Sequence, residues 1–199
     1  MPRISTAILL GMVALSYAHA GPITFNFMGT VSQVPIDDLG TGIQSGDSIT
    51  GSFTFDSNAI DGIPDSTSAS YTSTGAAYGL SADIGAGPVM FLISGSLNIG
   101  ILNTFIDQYT VSASSSLLTV DLLFEDDSAT VFSSDGLPLS PPPLAGFGQR
   151  QFHLDQTDLA GDETQVDGTI TFLTCDACGA QAAPEPSTAG ALFIWRSHA

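Results

Sequence analysis

Lysine is absent from this 199-residue chain, and arginine occurs only as Arg3, Arg150 and Arg196, against 20 aspartates and glutamates. The net charge of -17 leaves no surface for nucleic acid, because holding a phosphate backbone takes several cationic side chains that displace counterions. Anionic membrane surfaces repel the chain for the same reason. Tryptophan occurs once, at Trp195 near the carboxyl end, so a sugar-stacking face in the body of the chain falls to Tyr71, Tyr78 and Tyr109. No segment sustains a helical period and no Gly-rich turn leads from a strand into a helix, which argues against nucleotide-binding folds built on βαβ units. No serine sits in a G-x-S-x-G elbow, and His153 is the sole histidine away from the two ends, so a Ser/His/Asp hydrolase lacks its usual signature. Glu125 and Glu163 can be named as a glycosidase pair, yet in so acidic a chain some carboxylate pair always can. The expectation is a protein that is not an enzyme.

What is present is apolar sequence in short pieces. Hydrophobic residues make up 43% of the chain, too many for disorder, and the acids sit in loops between apolar segments rather than in blocks. At the amino end Arg3 precedes an apolar run from Ala7 to Leu15, and Ala18-His19-Ala20 offers small residues at the two positions a signal peptidase reads. That run is too short for a bilayer, which takes about 20 apolar residues, so residues 1–20 are expected to be a removed export signal. Residues 21–178 are then one domain, long enough to bury a sizeable core, and 179–199 a flexible tail.

Within the domain, apolar and polar residues alternate with period two across segments rich in Phe, Ile, Val and Thr, bounded by Gly, Asp, Ser and Pro. Ile23, Phe25 and Phe27 share one face of the first segment; Ile49, Phe53 and Phe55 share one face of Ser48 to Asp56, with Gly51 marking a bulge or a close approach. Further strands are expected at Ser68 to Ser73, Gly79 to Ile84, Val89 to Ile99, Thr104 to Ser112 and Leu118 to Phe124. A turn at Glu125-Asp126-Asp127-Ser128 should send Ala129 to Phe132 back antiparallel. Pro138 and Pro141-Pro142-Pro143 interrupt the pattern between Ser133 and Arg150, as a stiff crossing loop or an edge cover. The last strand is Gly168 to Thr174, expected to pair with Ile23 to Val34. Many short strands with closely spaced turns point to an all-β antiparallel sandwich of jelly-roll type.

Two clusters in the domain carry candidate chemistry. Cys175 and Cys178 are the only cysteines, and a local disulfide is the expected state in an exported protein. A thioredoxin-like role would need a βαβ setting, and a zinc site two further ligands. Asp56, Asn58 and Asp61 place oxygens near one another as a calcium loop would, though the spacing is off by one residue and no Glu follows; an Asx turn leaving the strand is the competing reading. Asp155, Asp158, Asp162, Glu163 and Asp167 form a second acidic stretch with less pattern. No other cofactor is indicated.

The tail carries Pro184-Glu185-Pro186, then Ala189 to Trp195, then Arg196. This combination resembles the PEP-CTERM sorting signal of exported proteins in Gram-negative bacteria that also make exopolysaccharide. The resemblance covers only Ala183 to Arg196. It implies that Pro184, Glu185 and Pro186 are recognition residues for an exosortase, a membrane cysteine protease-transpeptidase, and that the passenger is an extracellular or cell-surface protein associated with exopolysaccharide or biofilm matrix. The family's apolar segment normally crosses a membrane and ends in an Arg cluster. Here seven residues give about 10 Å of helix against roughly 30 Å of hydrocarbon, so either the tail is a shortened or degenerate copy or the chain is released without retention, and no stable membrane span is expected in it. A secreted carbohydrate-binding module, stabilised by calcium, is the alternative reading of the domain.

Overall fold

The period-two alternation becomes a wall with an apolar inner side. On β1 (Pro22–Asp37) Ile23, Phe25, Phe27 and Val31 point inward, while Thr24 and Asn26 point outward. On β2 (Ser48–Asp56) Ile49, Phe53 and Phe55 point inward, and Thr50, Ser52 and Thr54 lie on the other side. The remaining strands repeat this arrangement: β3 (Ser68–Ile84), β4 (Val89–Asn103), β5 (Asp107–Ser114), β6 (Leu118–Asp126), β7 (Gln149–Thr157) and β8 (Glu163–Thr174). This computed structural model describes residues 21–63, 65–85, 89–176 and 178. The export signal expected at 1–20 and the sorting motif Pro184-Glu185-Pro186 lie outside the described residues.

The strands do not divide into two stacked layers. They follow one another in chain order around a closed eight-stranded antiparallel barrel, β1 to β8, and this corrects the expectation of a jelly-roll sandwich. Alternation looks the same in both architectures; what decides between them is whether the first and last strands meet. They do: β1 pairs with β8 from Asn26↔Thr174 to Asp37↔Thr164, as the expected pairing of the chain ends requires. At 16 residues β1 is long enough to serve β2 with its first half and β8 along most of its length. Register shifts at Met28/Gly29, Val31/Gln33 and Gln33/Ile36 bend this seam and let the sheet close.

Other expectations change with it. Ser68–Ser73 and Gly79–Ile84 belong to the single strand β3, interrupted by a bulge in which Gly75 pairs with Gly95 and Gly79 with Ser94, leaving residues 76–78 outside the ladder. Ala129 to Phe132 does not return as a strand. The return is made by β7, which the sequence pattern did not reveal. Gly51 marks a close approach rather than a bulge: it faces Phe27 in an unbroken β1–β2 ladder, and a Cβ there would lie 2.3 Å from the Phe27 ring.

An eight-stranded barrel is just wide enough for its own side chains to fill. Phe25 sits edge-on to Phe53 and Phe55 at centroid separations of 5.4 and 5.2 Å, and each such ring contributes about 1.5 to 3 kcal/mol by leaving water. Both ends are covered. The β6–β7 connection, with its prolines and a 3-10 turn at Leu144–Gly146, lays Phe132 and buried Phe147 beside Phe124 and Tyr109, while at the other end the β1–β2 loop buries Ile43. An apolar interior behind a largely Ser/Thr wall reverses the arrangement of a porin, whose lipid-facing side is apolar and whose lumen is polar.

Candidate functional site

The acids of this chain are used first to fold its loops. Asp56 Oδ1 accepts from Asn58 N at 2.9 Å, and Asp61 Oδ1 accepts from Ile63 N and Ser70 N at 2.9 Å each. Two members of the expected calcium set are thus occupied by backbone donors, as in Asx turns. Among the described residues no group of three His, Cys, Asp or Glu is gathered to hold a metal ion. Asp37 accepts from Thr41 N, Thr41 Oγ1, Gly42 N and Thr164 Oγ1. Burial opposes its ionisation, but these bonds outweigh it and hold its carboxyl below the usual range. Asp126 is held lower still by the Ser128 hydroxyl and the backbone N–H groups of Thr130 and Ser128.

Cys175 and Cys178 form a disulfide immediately after β8. Beside it Asp176 accepts from the Asn26 amide at 3.1 Å, which ties this short loop back to β1.

The glycosidase pair is separated by the topology. Glu125 ends β6 at one rim, where the Gln108 and Gln149 amides donate to it, whereas Glu163 opens β8 at the opposite rim. His153 stands on the outer wall of β7, and its Nδ1 lies 2.7 Å from Asp167 Oδ1 on β8. The Gln33 amide of β1 donates to Asp167 Oδ2, also at 2.7 Å. Burial pushes the Asp167 carboxyl up, but the bonds from Gln33 and His153 outweigh it and hold it below its ordinary value. These groups line a surface groove of about 380 Å³ together with Ser32, Gln151 and Thr169. The Ser32 and Thr169 hydroxyls bond to each other at 3.2 Å. The groove resembles half of a charge-relay arrangement, with an imidazole oriented by a carboxylate, but among the described residues no hydroxyl is hydrogen-bonded to the imidazole. Sequence reasoning named His153 and Asp167 separately and missed their meeting, because it depends on β7 being a strand in this register.

The three tyrosines separate sharply. Tyr109 is fully buried in the barrel, its hydroxyl without a partner among the described residues, and burial pushes its ionisation far up. Tyr71 is 9% exposed and donates to the Asp135 carbonyl at 3.0 Å, fastening the β6–β7 connection to β3. Tyr78 alone lies on the outer wall, at the β3 bulge, where it borders a shallow groove of about 140 Å³ with Ser52, Thr54, Ser81, Leu92 and Ser94.

No protein-family model, no curated protein and no solved structure matches this chain.

Proposed function

We propose that this chain is an exported, non-enzymatic barrel protein that works through its outer wall at the cell surface or outside the cell of a Gram-negative bacterium. The observation that carries this reading is the sealed interior. Phe25, Phe27, Phe53, Phe55, Tyr109, Phe124 and Phe152 fill the space where an eight-stranded barrel would otherwise hold a ligand, so partners are met on the wall or the rims. The Cys175–Cys178 bridge supports export, since disulfides persist in oxidising compartments. The Pro184-Glu185-Pro186 triplet supports recognition by an exosortase-type enzyme, and through that resemblance a link to exopolysaccharide or biofilm matrix.

The test is fractionation of cells producing the full chain beside a chain lacking residues 183–199. The expected result is an exported product beginning at Gly21, with a distribution that changes when the tail is removed. A cytosolic product retaining Met1 would overturn the export reading, and identical distributions would remove the role of the tail.

A second reading, a secreted carbohydrate-binding module, is favoured by one observation: Tyr78 is placed on the outer wall among hydroxyl side chains.

A further inference from the structure

The geometry points to a binding site for a neutral pyranose oligosaccharide at the β3 bulge, with Tyr78 as its stacking platform. The inference rests on the second reading above and gives it a place and a ligand class.

Three features meet there. The first is the bulge itself. The β3–β4 ladder runs in register up to Gly75↔Gly95 and resumes at Gly79↔Ser94, so Ala76, Ala77 and Tyr78 are extra residues on one strand only. Such insertions re-aim a side chain out of the regular wall. Gly79 secures the return: its φ is +155°, and a Cβ would lie 2.1 Å from the Ile93 carbonyl oxygen, so only glycine brings the chain back against β4. The Tyr78 ring is set over Gly75, where an added Cβ would be 3.8 Å from it.

The second feature is the lining. A pyranose has apolar C–H faces and an equatorial rim of hydroxyls, so it is recognised by a flat aromatic ring beside hydroxyl and amide groups. Around Tyr78 stand Ser52, Thr54, Ser81 and Ser94, with the exposed Leu92 side chain adding apolar surface. Ser52 and Ser81 share one hydrogen bond at 3.1 Å, and Thr54 shares one with Thr24 at 2.8 Å, which leaves spare donor and acceptor capacity on every pair.

The third is charge. Among the described residues no ionisable side chain other than the Tyr78 phenol lines this groove, on a chain with a net charge of -17. An acidic polysaccharide is repelled by the molecule as a whole, whereas a neutral one is not. Strand addition by a peptide is disfavoured by the closed barrel, which pairs its first and last strands and leaves no terminal edge strand.

The experiment is titration of the purified full chain, followed by NMR chemical shifts and calorimetry, with neutral hexasaccharides of β-1,4-glucose and β-1,4-mannose and with an alginate hexasaccharide. The expected result is binding of at least one neutral hexasaccharide, with shifts centred on residues 76–79, 52 and 81. Tyr78→Ala should weaken it by about tenfold or more, while Tyr78→Phe, which keeps the ring, stays within about threefold. Leu159→Ala, at the far rim, should leave it unchanged. Three results would overturn the proposal: no shift with either neutral hexasaccharide, preference for the alginate hexasaccharide, or unweakened binding in Tyr78→Ala with a native circular dichroism spectrum. An exported chain that binds nothing loses this proposal, and with it the support for the second reading, while the export reading stands. A cytosolic chain that binds through Tyr78 loses only the export reading.

Discussion

Asp107 and Asp126 face one another across the β5–β6 ladder, both buried at the same rim of the barrel, and both hold the β6–β7 connection by its backbone. Asp107 Oδ2 accepts from Val131 N and Phe132 N at 2.8 Å each, while Asp126 accepts from Ser128 N at 2.9 Å and Thr130 N at 2.8 Å. Together they fold a loop too rich in proline to form its own ladder into a lid over Phe124 and Tyr109. Two acidic side chains can sit side by side here because each is surrounded by hydrogen-bond donors. Asp107→Ala should therefore destabilise the barrel by about 1 to 3 kcal/mol for each buried donor it leaves without a partner. Urea unfolding would measure the loss, and hydrogen exchange should locate the first loosening at residues 128–147.

Acid should undo the same devices. Asp126, Asp37 and Asp167 all have carboxyls held below their ordinary value in the folded chain, Asp126 mainly by the Ser128 hydroxyl and the other two by hydrogen bonds that overcome burial. A group whose folded pKa is depressed contributes stability that is complete above its unfolded value and is lost as pH falls through the folded one. The melting temperature should thus be flat in these groups above about pH 5 and fall steadily below about pH 4. Asp126→Asn should flatten that acid limb and lower the plateau; an unchanged limb would show that Asp126 is not a stabilising carboxylate.

The two inner tyrosines should respond in opposite ways to the same change. Tyr109 carries a fully buried hydroxyl with no partner among the described residues, so Tyr109→Phe removes a desolvation penalty and should leave stability equal or raise it by up to about 1 kcal/mol. Tyr71→Phe deletes the bond to the Asp135 carbonyl and should lower stability by about 1 kcal/mol. Thermal or urea unfolding of the pair gives both signs in one experiment.

The disulfide closes a very short loop, with a sequence separation of 3, and removes little chain entropy. Changing both Cys175 and Cys178 to Ser should cost about 2 kcal/mol, a drop in melting temperature of several degrees, and leave the circular dichroism spectrum unchanged. The freed end of β8, from Leu173 onward, should exchange its amides faster than before.

Most strands were legible because inward and outward positions alternate in residue type. Leu118, Val120, Leu122 and Phe124 announce β6, and only Leu118, partly buried at the rim, departs from full burial. β7 was not legible: on its inward side only Phe152 and Leu154 are apolar, flanked by Arg150 and Gln156, and its outward side carries Gln149, Gln151, His153 and Asp155, so the alternation is too short to stand out. Ser68–Ser73 and Gly79–Ile84 read as two strands, whereas the interval between them is a bulge within one. Closure was invisible for a deeper reason. Alternation fixes which side of a strand is inside, but not which strand lies beside which, and the β1–β8 pairing that closes the sheet joins the two ends of the domain. The same limit hid the bond between His153 and Asp167, residues 14 positions apart that meet only across the β7–β8 ladder. The acids were expected in loops between apolar segments, yet Asp107 and Asp126 are buried at strand ends, where a carboxylate can satisfy several backbone donors at once.

The central claim is that the sheet is closed, which seals the interior and moves function to the outer wall. Cross-strand NOEs in the purified chain test it most directly. Closure requires backbone NOEs between β1 and β8 in the Met28↔Phe172 and Gly29↔Ile170 register, alongside those of the seven sequential pairings, with slow amide exchange on both sides of β1. Sequential NOEs without any β1–β8 contact, together with rapidly exchanging amides along β8, would contradict it.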